Sequence, residues 1–263
     1  MRYFNATRTL SLLLLSTALL SGCGSTEPDV DPVVKGGTFT GGDRRIGNGE
    51  ARAFVTLDDD GNPTEIGVRI DQDALAGLPY NLLGERSRIY ELELPAQADS
   101  TPFRHVTIDW YPQGDRGGEL FDTARFDIHF FMMEGEELVA IDPVTPGAQS
   151  KAENLPPSDE IPSGYTTDDS VTFEPNVGVH WYDPADLPGP DDFEKILLYG
   201  SWDGALTFIE TRLAWDWLVN KPEFSEPLAR PVTWPTEGSW PTTWSVSFDE
   251  ENRHFVVTLG GFD

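Results

Sequence analysis

Two stretches of this chain alternate apolar and polar residues with a period of two, and the segment joining them leaves little choice of fold. Ala51-Arg-Ala-Phe-Val-Thr-Leu57 alternates, Asp58-Asp-Asp-Gly-Asn-Pro63 is made of turn formers, and Glu65-Ile-Gly-Val-Arg-Ile70 alternates again. That is the pattern of a β-hairpin with one face buried and one wet. The Asp-Asp-Asp-Gly piece lacks the downstream glutamate of an EF-hand loop, so it reads as a turn and not as a calcium site. The same period returns in Ile89-Tyr-Glu-Leu-Glu-Leu94, His105-Val-Thr-Ile-Asp-Trp110, Phe126-Asp-Ile-His-Phe-Phe-Met132 and Val177-Gly-Val-His-Trp181. Lys195-Ile-Leu-Leu-Tyr199 and Leu206-Thr-Phe-Ile-Glu210 follow, with Trp202-Asp-Gly204 as the turn between them. Trp244-Ser-Val-Ser-Phe248 and His254-Phe-Val-Val-Thr258 form a final hairpin. Helical spacing is confined to Asp71-Gln-Asp-Ala-Leu-Ala-Gly-Leu78, with Asp71 as N-cap, and to Thr211-Arg-Leu-Ala-Trp-Asp-Trp-Leu218. Residues 142–178 are dominated by Pro, Gly, Asp and Ser and read as a long, weakly regular connection. The expected fold is α+β: a mainly antiparallel sheet, sandwich or barrel-like, with a few short helices in a single domain over residues 43–263.

The start of the chain is different in kind. Arg2 and Arg8 precede an apolar run of signal-peptide length, and Leu20-Ser21-Gly22-Cys23 follows it. The run is about half the ~20 residues a membrane span requires. Leu20-Ser-Gly-Cys23 resembles the lipobox of bacterial lipoproteins, which implies that residues 1–22 are removed and Cys23, the only cysteine, carries the acyl chains. Residues 23–42 then read as a flexible tether. The expected address is the cell envelope, lipid-anchored. Gly24 stands where many inner-membrane lipoproteins have Asp, which favours the outer membrane. With its single cysteine committed to the anchor, the domain gains nothing from disulfides.

Charge excludes some partners. The chain has 45 acidic against 18 basic residues, a net charge of −27; removing residues 1–22, which hold two arginines and no acid, brings it to −29. Such a surface repels nucleic acid and anionic lipid headgroups. The acid is spread along the chain, as expected of solvation in a salty habitat, where screening lifts the self-repulsion.

Three of the four histidines share a context, His105 near the start of one strand segment and His129 and His180 inside two others. In Phe126-Asp-Ile-His-Phe130 alternation sets Asp127 and His129 on one face, and Val179-His-Trp181 turns His180 away from its neighbours. Glu210 closes an apolar strand, where a carboxylate requires a partner or the surface. His105, His129, His180 and Glu210 on neighbouring strands would suit zinc or another divalent transition ion. Acyl-transfer chemistry has no support, since no Gly-x-Ser-x-Gly elbow occurs. Trp234-Pro-Thr-Glu-Gly-Ser-Trp-Pro-Thr-Thr-Trp244 reads as an aromatic loop anchored on the sheet, with a sugar-stacking platform through Trp240 as the alternative.

Four segments taken in order, residues 49–68, 126–130, 178–184 and 199–210, resemble a family of exported bacterial proteins of unknown function. Its founding member is a small thermophile protein under extracytoplasmic-stress sigma-factor control, and the likeness spans residues 46–220. It implies a polar, histidine-containing pocket and no established activity. It also implies histidine at two positions that here carry Arg125 and Asp115. Arg125 cannot ligate a cation, so pairing with Asp127, Asp115 or Glu210 would replace metal with a salt bridge in a degenerate site. The leading expectation is therefore a non-enzymatic envelope lipoprotein that works by binding or assembly, with an unidentified small ligand and self-association both open. The rivals are a metal-binding protein or metal-dependent enzyme using the four residues above, and a carbohydrate-binding lipoprotein.

Overall fold

The computed structural model describes residues 36–114, 121–168, 170–189 and 192–263. The signal segment, Cys23, most of the tether and Asp115 lie outside the described residues. Among the described residues no helix is long and apolar enough to cross a membrane.

Among the described residues thirteen strands build two antiparallel sheets. In chain order they are β1 (Gly37–Thr40), β2 (Arg44–Ile46), β3 (Gly49–Leu57), β4 (Pro63–Asp71), β5 (Arg88–Leu92), β6 (His105–Tyr111), β7 (Arg125–Phe131), β8 (Val179–Trp181), β9 (Lys195–Trp202), β10 (Ala205–Ala214), β11 (Phe224–Pro227), β12 (Thr243–Asp249) and β13 (His254–Gly260). The first sheet runs β1-β3-β4-β13-β12-β11, with β2 sharing the outer edge of β3. The second runs β5-β6-β7-β10-β9-β8. Neither closes on itself, so the architecture is a sandwich and not a barrel.

The inner faces meet in one core. Ile66, Val68, Ile70, Val246, Val257 and Leu259 of the first sheet pack with Val106, Ile108, Phe126, Ile128, Phe130 and Ile209 of the second. Alternation produces this directly: in β7 the residues of one parity, Phe126, Ile128 and Phe130, face the core. Arg125, Asp127, His129 and Phe131 are left on the far side.

That far side is covered too. Residues 135–152, with Leu138, Ile141, Ala148 and Ala152, lie on Phe131, Trp202 and Phe208. Phe193 and Leu187 lie on Ile196, Leu198 and Ala214. Between these two apolar patches runs a strip of buried polar side chains.

Several sequence expectations are corrected here. Residues 37–40, expected in the tether, form β1, because Phe39 finds Val55 and Leu57 to pack against. The helix expected over 211–218 starts only at Trp215. Residues 205–214 form one long strand, with Thr211, Arg212 and Leu213 paired to both β7 and β9. Glu210 therefore lies within a central strand and not at its end. Asp71 makes no side-chain cap; its carboxylate accepts from Glu50 N instead. Trp240 and Trp244 are buried, and Trp240 stacks on the half-buried Trp234 with centroids 4.1 Å apart. The aromatic run is spent on packing.

Candidate metal centre

Register places the polar strip. Across the central strands Thr107 pairs with His129 and His129 with Glu210, while Asp109 pairs with Asp127 and Asp127 with Arg212. A β-bulge between Leu206 and Phe208 sets the phase of β10. Leu206 belongs to the inter-sheet core, whereas Phe208 two residues on belongs to the outer cluster. The extra residue turns Glu210 onto the same face as His129. His180 arrives from β8 opposite Gly200. A Cβ on Gly200 would come within 1.8 Å of the Phe208 ring, so glycine is required for that ring to lie where it does. Phe208 then packs edge-on against both His129 and His180, at 5.4 Å from each.

Three ligand atoms converge as a result. His180 Nε2 is 3.0 Å and His129 Nε2 3.6 Å from Glu210 Oε2, and the set lies within 4.8 Å. All three atoms are shielded from solvent, and none has a hydrogen-bond partner. His180 Nε2 is within hydrogen-bond distance of Glu210 Oε2, and the two would form an ion pair with the ring protonated, but the direction of the ring N–H does not make a hydrogen bond between them. An unpaired buried polar atom costs about 1–3 kcal/mol, and here three such atoms face each other. For tetrahedral zinc with bonds of about 2.0–2.2 Å the ligand–ligand edges are about 3.3–3.6 Å; the His129 side, at 3.6 Å, lies at the upper end of that range and the His180 side, at 3.0 Å, is shorter.

The surroundings hold His129 and Glu210 in ligand form. Burial pushes His129 down to about 4, against the pull of Glu210, so the imidazole is neutral at pH 7. Burial alone would raise the Glu210 carboxyl, but Arg212, His129 and His180 outweigh it and hold it well below the usual range. The other His129 nitrogen, Nδ1, lies 3.3 Å from Thr107 Oγ1 and 3.8 Å from Asp109 Oδ2. The other Glu210 oxygen, Oε1, accepts from Arg212 Nε at 2.7 Å. Outer partners of this kind fix ring orientation and carboxylate pose around a metal.

The expected pairing of Arg125 is found with Asp127. Arg125 Nε donates to both Asp127 oxygens at 2.8 and 3.1 Å, and its Nη2 donates to Oδ2 at 3.0 Å. Its guanidinium also covers the Tyr111 ring at 4.3 Å. Burial raises Asp127 to about 6 despite two adjacent guanidiniums. Arg125 is thus absorbed by its neighbour two residues along, leaving Glu210 for the histidines.

His105 does not join them. It stands on the same face, but Phe131 lies against it at 6.0 Å and against His129 at 5.2 Å, and His105 instead lines a separate cleft of about 350 Å³ with Thr107 and Asp109. The expected four-residue set is therefore three. Sequence reading missed Arg212 and Asp109; the single signal for either was parity, since Arg212 follows Glu210 by two and Asp109 follows His105 by four.

The three ligand atoms are themselves shielded from solvent, and the cleft beside them is reached through the remainder of the His180 side chain. His180, with 20% of its side chain exposed, lines a cleft of about 610 Å³ together with Arg212, Arg86, Glu174, Asp168 and Thr172. Among the described residues the protein offers three ligands, which would leave the fourth position of a tetrahedral ion unfilled by protein, unlike the closed four-ligand sets that only hold a fold together.

Residues 58–110 are similar to the TTHB210-like family, whose model is described as hypothetical protein TTHB210. The matched span runs from the β3–β4 turn into β6, so it includes His105 and Asp109 but not His129, His180 or Glu210. It is shorter than the likeness over residues 46–220, and it points to a family without a described activity. Comparisons with curated proteins and with solved structures gave no match.

Proposed function

We propose that this protein is an exported lipoprotein whose folded domain binds a divalent transition ion, zinc foremost, through His129, His180 and Glu210. The observation that carries this reading is the convergence of three buried ligand atoms that have no other partner. Arg125 does not oppose it, because its charge is matched by Asp127. The role is binding in the cell envelope, with Cys23 as the lipidated anchor and the outer membrane as the favoured location. The chain's acidity keeps nucleic acid away from it.

Metal analysis of the purified protein, loaded with zinc and desalted, tests the reading. One zinc per chain is expected, lost in His129→Gln and Glu210→Gln and retained in His105→Ala. Substoichiometric binding of zinc, copper and iron alike would overturn it. The anchor is tested separately: Cys23→Ser should move the protein from the membrane to the soluble fraction, and unchanged membrane retention would refute lipidation.

A further inference from the structure

Arg212 is 8% exposed and sits two residues beyond Glu210 on β10. Its Nε is used: it donates to Glu210 Oε1 at 2.7 Å and stands 3.6 Å from Asp127 Oδ2. Its two terminal nitrogens are not used. Among the described residues neither Nη has a hydrogen-bond partner, and neither is among the solvent-shielded polar atoms left unpaired. They reach the cleft that Arg212 and His180 line together.

Glu210 ties this fork to the metal centre. Oε2 faces the two histidines and Oε1 takes Arg212 Nε, so a bound ion and the guanidinium would stand on either side of one carboxylate. A second carboxylate or a phosphate likewise carries more than one oxygen, one for the ion and another for the guanidinium. The acids that share the cleft keep their charge, but each has hydrogen-bond partners of its own. Asp168 accepts from Ser170 N, Thr172 N and Thr172 Oγ1, and Glu174 accepts from the Tyr111 hydroxyl. Arg86 adds a further positive charge to the cleft.

We infer that the cleft takes an oxyanion, the carboxylate or phosphate of a small molecule, with one oxygen at the open position of the ion and another on the free Nη donors of Arg212. The inference rests on the metal reading above. The planar fork gives two parallel donors to such a group, which an ammonium in its place would not.

The test uses cobalt-loaded full-length protein, with inorganic phosphate and acetate titrated in separate arms while the visible absorption of the ion is followed. Saturable change is expected, and the arm that saturates at lower concentration identifies phosphate or carboxylate as the better ligand. Compared with wild type when both are saturated with cobalt, Arg212→Lys should lose about tenfold or more in anion affinity, because it lacks the planar fork. Tight cobalt binding with no response to either anion would overturn this inference alone, and so would an Arg212→Lys protein that binds the anions as wild type does. Failure to bind cobalt at all would remove the metal reading and this one with it. The wild-type titration decides the matter even if the lysine variant does not fold.

Discussion

β12 and β7 are both seven-residue strands, and they show how differently the two sheets use the same alternation. In β12 burial alternates strictly, half-exposed residues at Thr243, Ser245 and Ser247 and buried ones at Trp244, Val246 and Phe248. In β7 every residue is buried. The first sheet turns one face to water, so its polar residues cost nothing to place. The second is covered on both faces, so Arg125, Asp127 and His129 had to be desolvated together with Asp109, Glu210 and Arg212. Every buried charged residue among the described residues lies on β6, β7 or β10 of that sheet. Buried ion pairs seldom improve on apolar residues of similar volume. A strip of them confined to one face of one sheet therefore indicates a site, while the other sheet supplies the scaffold.

The largest test of this contrast removes one cation from each sheet. Arg125→Met should cost about 3–5 kcal/mol in urea denaturation, since it strands a buried carboxylate. Arg52→Ala, which breaks an exposed pair with Asp43 at 3.1 Å, should cost less than about 1 kcal/mol. Molar salt should erase the smaller effect and leave the larger one. Equal costs would mean that the two sheets are not energetically distinct.

A second test compares histidines in metal-free protein. His129 sits at about 4 in the folded state against about 6.5 in the unfolded chain. Between those values the unfolded state binds a proton that the folded state does not. The contribution is thus present above pH 6.5 and lost as pH falls toward 4. The stability difference between wild type and His129→Gln should shrink across that window by on the order of 3 kcal/mol. Asp127, raised to about 6, acts in the opposite direction but is common to both proteins. His254 on β13, also lowered by burial but only partly shielded, should give a smaller change in the same direction. A flat difference at His129 would show that its ring is not held neutral.

The smallest effect is spread over the whole surface. Raising salt from low to molar concentration shrinks the Debye length from ~10 Å or more to ~3 Å. It should stabilise this acidic domain by about 1 kcal/mol, roughly 2–4 °C at its size. A falling melting temperature would mean that the surface acids are locally paired, and it would narrow the difference between the sheets.

Much of the fold was legible because period two is a local property. The hairpins 51–70 and 244–258 and the strand carrying Asp127 and His129 follow from parity alone. The helix expected over 211–218 failed because Thr211, Arg212 and Leu213 are held by ladders on both sides, and two neighbouring strands outweigh local spacing. The tether ran too far because a four-residue edge strand leaves no periodic trace in a stretch rich in glycine and threonine. His105 was grouped with the other histidines because alternation gives its face, while the separation by Phe131 is visible only in three dimensions.

The sequence by itself determined the strands, the antiparallel class, the shared face of Asp127 and His129, and the acidic exterior, since each depends on residues near one another along the chain. The convergence was decided by tertiary structure. One extra residue in β10 reverses its phase so that Glu210 meets His129, and one missing side chain at Gly200 lets Phe208 seat both histidines. The second covering layer then buries the group. None of this is written in a local pattern, because a bulge and a close approach are defined only by the strand on the other side.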